Sequence, residues 1–172
     1  MYTIRSYFSK ESLKKVGSAI VLSVVSYMAA VWGTACNKDL IIVEKVIRSL
    51  GRLVLGKRKY DPIAEEIRTD LKWMFPNELS EFKVLCIMNN IVKDNQVPFF
   101  TNYFAKVCDQ HVHYTRGASD KLKSTVDPKT NFGLQTFNYR GAKLWNEMSK
   151  ELRNEPCVKS FKYKLKQELL KR

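Results

Sequence analysis

The chain has 172 residues, enough for one domain of ordinary size or for two small ones. Hydrophobic residues make up 45% of it, and this fraction excludes wholesale disorder because it can form a real core. With 30 Lys+Arg against 17 Asp+Glu, the formal net charge is +13, so a polyanionic partner is expected, with nucleic acid ahead of an anionic membrane surface.

The first predicted element contains a long uncharged stretch. Ser9 is expected to cap a helix that begins at Lys10 and runs to about Trp32. The stretch from Gly17 to Cys36 carries no charge, and at about 1.5 Å per residue it is long enough to cross a hydrocarbon core of about 30 Å. It is therefore either a membrane span or a buried helix covered by the helices that follow, and the order of the segments favours the buried helix.

The second predicted helix begins at Asn37 and ends at Gly56, with apolar residues at helical spacing along one side. Cations fall together on the other side and continue into the next loop: Lys45, Arg48, Arg52, Lys57, Arg58 and Lys59. A protein that grips a duplex by its phosphates needs such a surface, although an ordinary solvated helix face has the same composition.

Two more helices are predicted in the middle of the chain. Asp61-Pro62 is a typical helix start, with the aspartate as the cap, and Pro76 closes that short helix. The segment from Asn77 to Lys93 is nearly apolar all round in its middle, as in a central, well-covered helix.

The segment from Asp109 to Gly133 is polar and is predicted to be a long loop or two weak strands. Within it, residues 111–116 mix aromatic and cationic side chains, and Arg116 is a candidate contact for single-stranded bases. Two amphipathic helices then close the chain. Their apolar stripes are Ala142, Trp145, Met148 and Leu152 in one, and Val158, Phe161, Leu165 and Leu169 in the other.

Metal and cofactor sites are not expected. The four cysteines lie far apart, without the close pairs of structural zinc sites. Cys108, His111 and His113 cluster three possible ligands, but no fourth ligand is near them in the sequence. Reduced thiols and an N-terminus without the apolar core of a signal peptide predict an intracellular protein, nuclear or cytoplasmic.

Several segments together resemble one protein family. They are Ser26-Tyr27-x4-Trp32-Gly33, VEKVIRSLGRLVLGKRKYD, HYTRGASDKL and, most strongly, FNYRGAKLWN with the basic helix after it. Their succession resembles the region downstream of the polymerase palm in jockey-like non-LTR retrotransposon reverse transcriptases. The resemblance implies an all-α fold with a thumb-like helical bundle over 1–75, connecting helices over 76–108, a polar loop over 109–133 and a basic helical tail over 134–172.

The sequence also departs from that family in one respect. It has no Asp-Asp pair, whereas the polymerase palm holds two magnesium ions with aspartates, so this chain is not expected to be an enzyme. The resemblance implies a non-catalytic C-terminal fragment that binds the template–primer backbone, with the rest of the parent reverse transcriptase as a further partner. Arg140 and Lys143 join the cations above as candidate phosphate contacts, while Trp145 is expected to pack.

Two other functions stay open at this point. One is a small single-span membrane protein with a basic cytosolic domain, which follows if the uncharged stretch spans a bilayer. The other is a domesticated protein-interaction module whose helical tail binds another protein.

Overall fold

The computed structural model describes residues 2–94, 100, 103–107, 121–125 and 127–172. Most of these residues are helical, and one small two-stranded sheet is present, so the predicted all-α class is confirmed. The chain divides into two compact units. Unit 1 comprises Met1–Ser80 with Leu169–Arg172, and unit 2 comprises Glu81–Glu168.

The segment predicted as a polar loop over 109–133 lies within unit 2, because its strand β2 (Leu122–Ser124) pairs antiparallel with β1 (Phe104–Lys106). A short helix, α7 (Asn131–Leu134), follows it. The described part of the 109–133 segment contains one strand, β2, whose partner β1 precedes the segment.

The first helical segment starts as predicted. After a 3-10 helix (Tyr2–Tyr7), Ser9 caps α1 (Lys10–Gly17) by accepting a hydrogen bond from the backbone N–H of Ser12. A π-helical turn (Ser18–Leu22) and α2 (Ser23–Ser26) continue it.

The predicted continuation to Trp32 is wrong, because the helix breaks at Tyr27. Tyr27 is extended and Met28 has a left-handed φ of 51°, after which α3 (Ala29–Trp32) begins. The indole N–H of Trp32 donates to the carbonyl of Tyr27 at 2.8 Å, which satisfies a carbonyl that the break releases. Ser23 also bonds back to the carbonyl of Ala19, a pattern that bends helices.

The uncharged stretch is covered on one side only. Val21, Leu22 and Val25 pack against the core of unit 1, whereas Ile20 and Val24 on the opposite side are 57% and 73% exposed. The prediction of a helix wrapped by its neighbours is therefore half wrong. Within the described residues, no helix combines the length and the apolar character needed to cross a membrane.

The core of unit 1 is built on α4 (Asn37–Leu55). One face of α4 packs on the short α5 (Ala64–Glu66) and the π-helical turn after it (Ile67–Leu71). Gly51 allows this close approach, since a Cβ there would lie 2.8 Å from Ile67. The buried core residues include Leu13, Ile47, Leu50, Leu53, Val54, Ile63, Ile67, Leu71, Trp73 and Phe75.

The start of α5 differs from the prediction. Ile63 precedes the helix without a side-chain cap, and Asp61 instead accepts a hydrogen bond from the backbone N–H of Arg58 at 2.8 Å. Asp61 therefore shapes the basic loop before α5 and does not cap the helix.

The central helix α6 (Pro76–Asp94) has the burial that the sequence predicts. Pro76 stands at its first position, which suits proline because that residue has no N–H to donate. Glu78 reaches back to accept the N–H of Phe75, as in one half of a capping box. Apolar residues are buried along most of its length, including Leu79, Val84, Leu85, Met88 and Ile91.

Three more helices follow α7: α8 (Phe137–Glu147), α9 (Lys150–Arg153) and α10 (Val158–Leu170). Asn146 joins α8 to β2 through two hydrogen bonds of its side-chain amide. Its Nδ2 donates to the backbone carbonyl of Leu122, and its Oδ1 accepts from the backbone N–H of Leu122. Trp145 is buried, as predicted. The predicted stripes are otherwise buried too, except for the half-buried Val158: Ala142, Met148, Leu152, Phe161, Leu165 and Leu169.

Candidate nucleic-acid interface

The predicted basic surface of unit 1 is formed by the second half of α4 and the loop after it. Gly56 ends α4 with a left-handed φ of 76°, and its N–H donates to the carbonyl of Arg52 at 2.9 Å. A residue with a Cβ is strained in this conformation, so glycine sets the direction in which the loop Lys57–Lys59 leaves.

Arg48 is half-buried and held in place by the protein itself. Its Nε and Nη2 donate to Oε1 of Glu44 at 2.8 and 2.5 Å. Its guanidinium carbon also lies 5.0 Å from the ring centroid of Phe75, a cation–π distance. Arg48 therefore has a structural role that reduces its capacity to bind a phosphate.

Arg52 and Lys57 are also engaged internally. Nη2 of Arg52 donates to the backbone carbonyl of Asp61 at 3.3 Å. Nζ of Lys57 lies 2.8 Å from a carboxylate oxygen of Glu66, and this hydrogen bond raises the pKa of Lys57. Both cations support the loop, and a phosphate would have to compete with these partners.

Three of the six cations predicted in unit 1 are exposed, and their side chains have no hydrogen bond or ion pair within the described chain: Lys45, Arg58 and Lys59. The backbone of Arg58 is fixed by Asp61, so its side chain projects from an ordered turn. The ammonium of Lys59 lies 5.4 Å from the ring centroid of its neighbour Tyr60, which is itself 87% exposed. These three cations form the available part of the surface.

Unit 2 contains the other two described candidates. Arg140 is half-buried, and this burial lowers the pKa of its guanidinium. The negative charge of Glu81 acts in the opposite direction and offsets part of the shift. Lys143 is exposed, and its Nζ is 4.0 Å from a carboxylate oxygen of Glu147, too far for a strong pair. Only Lys143 of these two presents an open cation.

Lys143 lines an open cleft of about 510 Å³ together with Tyr139 and two further lysines that were not among the predicted site residues. Lys121 directly precedes β2 and Lys123 lies within it; both are exposed, and their spacing of two residues places them on the same face. The alternation of lysine with leucine or serine in KLKS is the sequence signal for a strand with both lysines on one face. Four residues are too few for this alternation to predict a strand on their own.

Two sequence predictions fall on residues 108–120, which lie outside the described residues. They are Arg116 with its aromatic neighbours and the cluster of Cys108, His111 and His113. Across the described ranges, no group of three or more His, Cys, Asp or Glu side chains is placed to hold a metal ion.

Comparison with known proteins gives no relative: no family model, no curated protein and no solved structure matches the chain. The resemblance to retrotransposon reverse transcriptases therefore stands on the residues quoted from the sequence.

Proposed function

We propose that the chain binds nucleic acid through the phosphate backbone, without reading base sequence, as a non-catalytic C-terminal part of a reverse transcriptase. The observation that carries the proposal is the exposed cation set Lys45, Arg58 and Lys59 on unit 1. Within the described residues, these side chains have no hydrogen bond or ion pair to displace, in a chain of formal charge +13.

The physical basis is the release of counterions. Each lysine or arginine that meets a phosphate frees a condensed cation, so affinity is gained without contact to a base edge. Because Asp61 fixes the turn that carries Arg58, part of the ordering cost is met before binding. No residue is assigned to the edge of a base, so binding is expected to be independent of sequence.

The test uses a labelled duplex of mixed sequence, with fluorescence anisotropy recorded from about 50 to about 200 mM salt. We expect affinity to fall steeply with salt. Changing Lys45, Arg58 and Lys59 together to Gln should weaken binding and lower the log–log salt slope by about three, roughly one for each phosphate contact.

The matched control removes the same charge elsewhere. Lys15, Lys159 and Lys171 are exposed and have no described partner, so changing them to Gln also lowers the net charge by three. This control should keep most of the affinity. Equal losses in the two triple variants, or binding that salt does not weaken, would contradict the proposal.

A second candidate, a protein-interaction module, is favoured by the exposed apolar side of the uncharged stretch. Ile20, Val24 and Val31 are all more than half exposed. Contiguous apolar patches on a surface mark interaction sites. Light scattering tests this function: concentration-dependent assembly that Val24→Lys abolishes would support it, and a monomer at all concentrations would count against self-association.

A further inference from the structure

An open cleft of about 470 Å³ lies at the N-terminal end of unit 1. The cleft is lined by Arg5, Ser6, Phe8, Lys10, Leu13 and Val54. Its volume is within the range of small-ligand sites. Two cations and a hydroxyl stand beside an aromatic ring and two aliphatic side chains, and no acid is among the described residues that line the cleft. This composition suits a ligand with one anionic and one flat apolar part.

Arg5 connects this cleft to the basic loop. Its guanidinium lies over Gly56, so closely that a Cβ on Gly56 would overlap Nη2 and would stand 2.9 Å from Cζ. Gly56 directly precedes Lys57 and Arg58 in the chain. Arg5, which lines the cleft, therefore lies beside the start of the basic loop.

The aromatic component is available at the surface. Phe8 is 48% exposed although it lines the cleft, and its neighbour Tyr7 is 83% exposed. Large aromatic side chains are usually buried, and an exposed ring beside cations is the arrangement with which proteins stack unpaired bases.

Lys10 has a weak competing partner. Its Nζ is 3.2 Å from a carboxylate oxygen of Asp70, and both side chains are about half exposed. Such exposed pairs contribute little, so a phosphate can share the lysine. Arg5 has no ion pair within the described chain, which leaves its guanidinium open to a phosphate.

We propose that this cleft binds an unpaired nucleotide of single-stranded nucleic acid, with its phosphate on Arg5 and Lys10 and its base on Phe8. The inference rests on the proposed function in one respect, since the neighbouring loop is taken to hold the backbone of the adjoining duplex. Single-stranded binding is a separate property, however, because stacking on Phe8 requires a base that is not paired.

The experiment compares three labelled probes: a blunt duplex, the same duplex with a single-stranded extension of about six nucleotides, and the single strand alone. We expect the extension to increase affinity at least about fivefold, the gain of one stacked base. Phe8→Ala should remove that gain, and Phe8→Tyr should keep it. Arg5→Gln should reduce the salt slope for the extended probe by about one.

Phe132→Ala is the matched control, because Phe132 is an exposed phenylalanine of unit 2, 81% accessible to solvent. It should leave the gain intact. If the extension gives no gain, or if both alanine variants lose it equally, the cleft is not the site. Failure of the blunt duplex to bind, with the single strand still bound in a Phe8-dependent way, would remove the proposed function and leave this inference standing.

Discussion

Glu78 accepts hydrogen bonds from two directions, from the guanidinium of Arg68 and from the backbone N–H of Phe75. Arg68 in turn lies 5.0 Å from the ring centroid of Phe75, so one buried carboxylate connects the turn after α5 to the start of α6. This arrangement stabilises unit 1 at the point where the short helices lead into the central one.

The first prediction concerns this carboxylate. Glu78→Gln removes the charge from a buried site and leaves Arg68 without its partner, so the free energy of unfolding should fall by about 1–2 kcal/mol. Denaturant unfolding monitored by circular dichroism measures this change in free energy. Asp70→Asn breaks the exposed pair with Lys10 and should cost less than about 0.5 kcal/mol. Equal costs would contradict the role assigned to Glu78.

The second prediction separates structural cations from binding cations on α4. Arg48→Gln should lower the free energy of unfolding by about 1 kcal/mol, because it loses both Glu44 and the Phe75 ring. Lys45→Gln should leave stability unchanged and lower the salt slope for duplex binding by about one. A larger binding defect for Arg48 than for Lys45 would reverse this assignment.

The third prediction concerns the thiol of Cys86. Burial raises its pKa to about 11 from the usual 9.0, although Lys162 and Lys83 act in the opposite direction. At about pH 8 its alkylation should be much slower than that of the exposed Cys36 and Cys157, since Cys86 is less accessible and the thiolate is the reactive form. Mass spectrometry of a Cys108→Ser variant counts the labelled sites, and rapid labelling of Cys86 in folded protein would contradict it.

The same shift predicts a dependence of stability on pH. In the unfolded chain the Cys86 thiol loses its proton near pH 9.0, while the folded chain keeps it up to about pH 11. As the pH rises from 9.0 to about 11, the free energy of unfolding should therefore fall. Cys86→Ala should remove this part of the fall, which thermal unfolding over the same pH range checks.

The fourth prediction tests the link between α8 and β2. Asn146→Asp replaces the amide donor with an oxygen facing the carbonyl of Leu122, so the free energy of unfolding should drop by about 1–3 kcal/mol. Asn131→Asp, an exposed change at the start of α7, is the control and should be neutral or slightly stabilising. Urea unfolding measures the free energy of both variants, and equal losses would contradict the role assigned to Asn146.

The fifth prediction compares two adjacent valines of α2. Val24 is exposed, and Val25 packs on the core of unit 1. Val24→Ser should change the free energy of unfolding by less than about 0.5 kcal/mol, whereas Val25→Ser should cost about 1–2 kcal/mol. A cost of similar size at Val24 would show that this side of the stretch is covered in solution.

Two of the features that the sequence predicted correctly have a local cause. Ser9 and Gly56 mark helix ends through their own side chain or backbone freedom, and both do so here. The break at Met28 has no such marker, since methionine is not favoured in the left-handed region. The hydrogen bond from the indole N–H of Trp32 to the carbonyl of Tyr27 accompanies this break. That hydrogen bond forms only when the helix is already broken, so the sequence does not reveal it.

The candidate site shows the same limit. Helical spacing places Lys45, Arg48 and Arg52 on one side of α4, but it does not reveal which of them the protein uses for itself. Arg52 meets a carbonyl nine residues further on, and Lys57 meets Glu66 across the same turn. Arg5 was not predicted because its nearness to Gly56 depends on the packing of segments about fifty residues apart.

The side chain of Asn146 has a consequence for how molecules of this protein meet one another. In the two-stranded ladder, Leu122 directs its N–H and C=O away from β1, and Asn146 satisfies both groups. A strand whose outer groups are unpaired is a template for another chain, and natural proteins block such templates. The Asn146 side chain therefore covers the exposed edge of the small sheet, so that a strand of another molecule cannot pair with the backbone of Leu122.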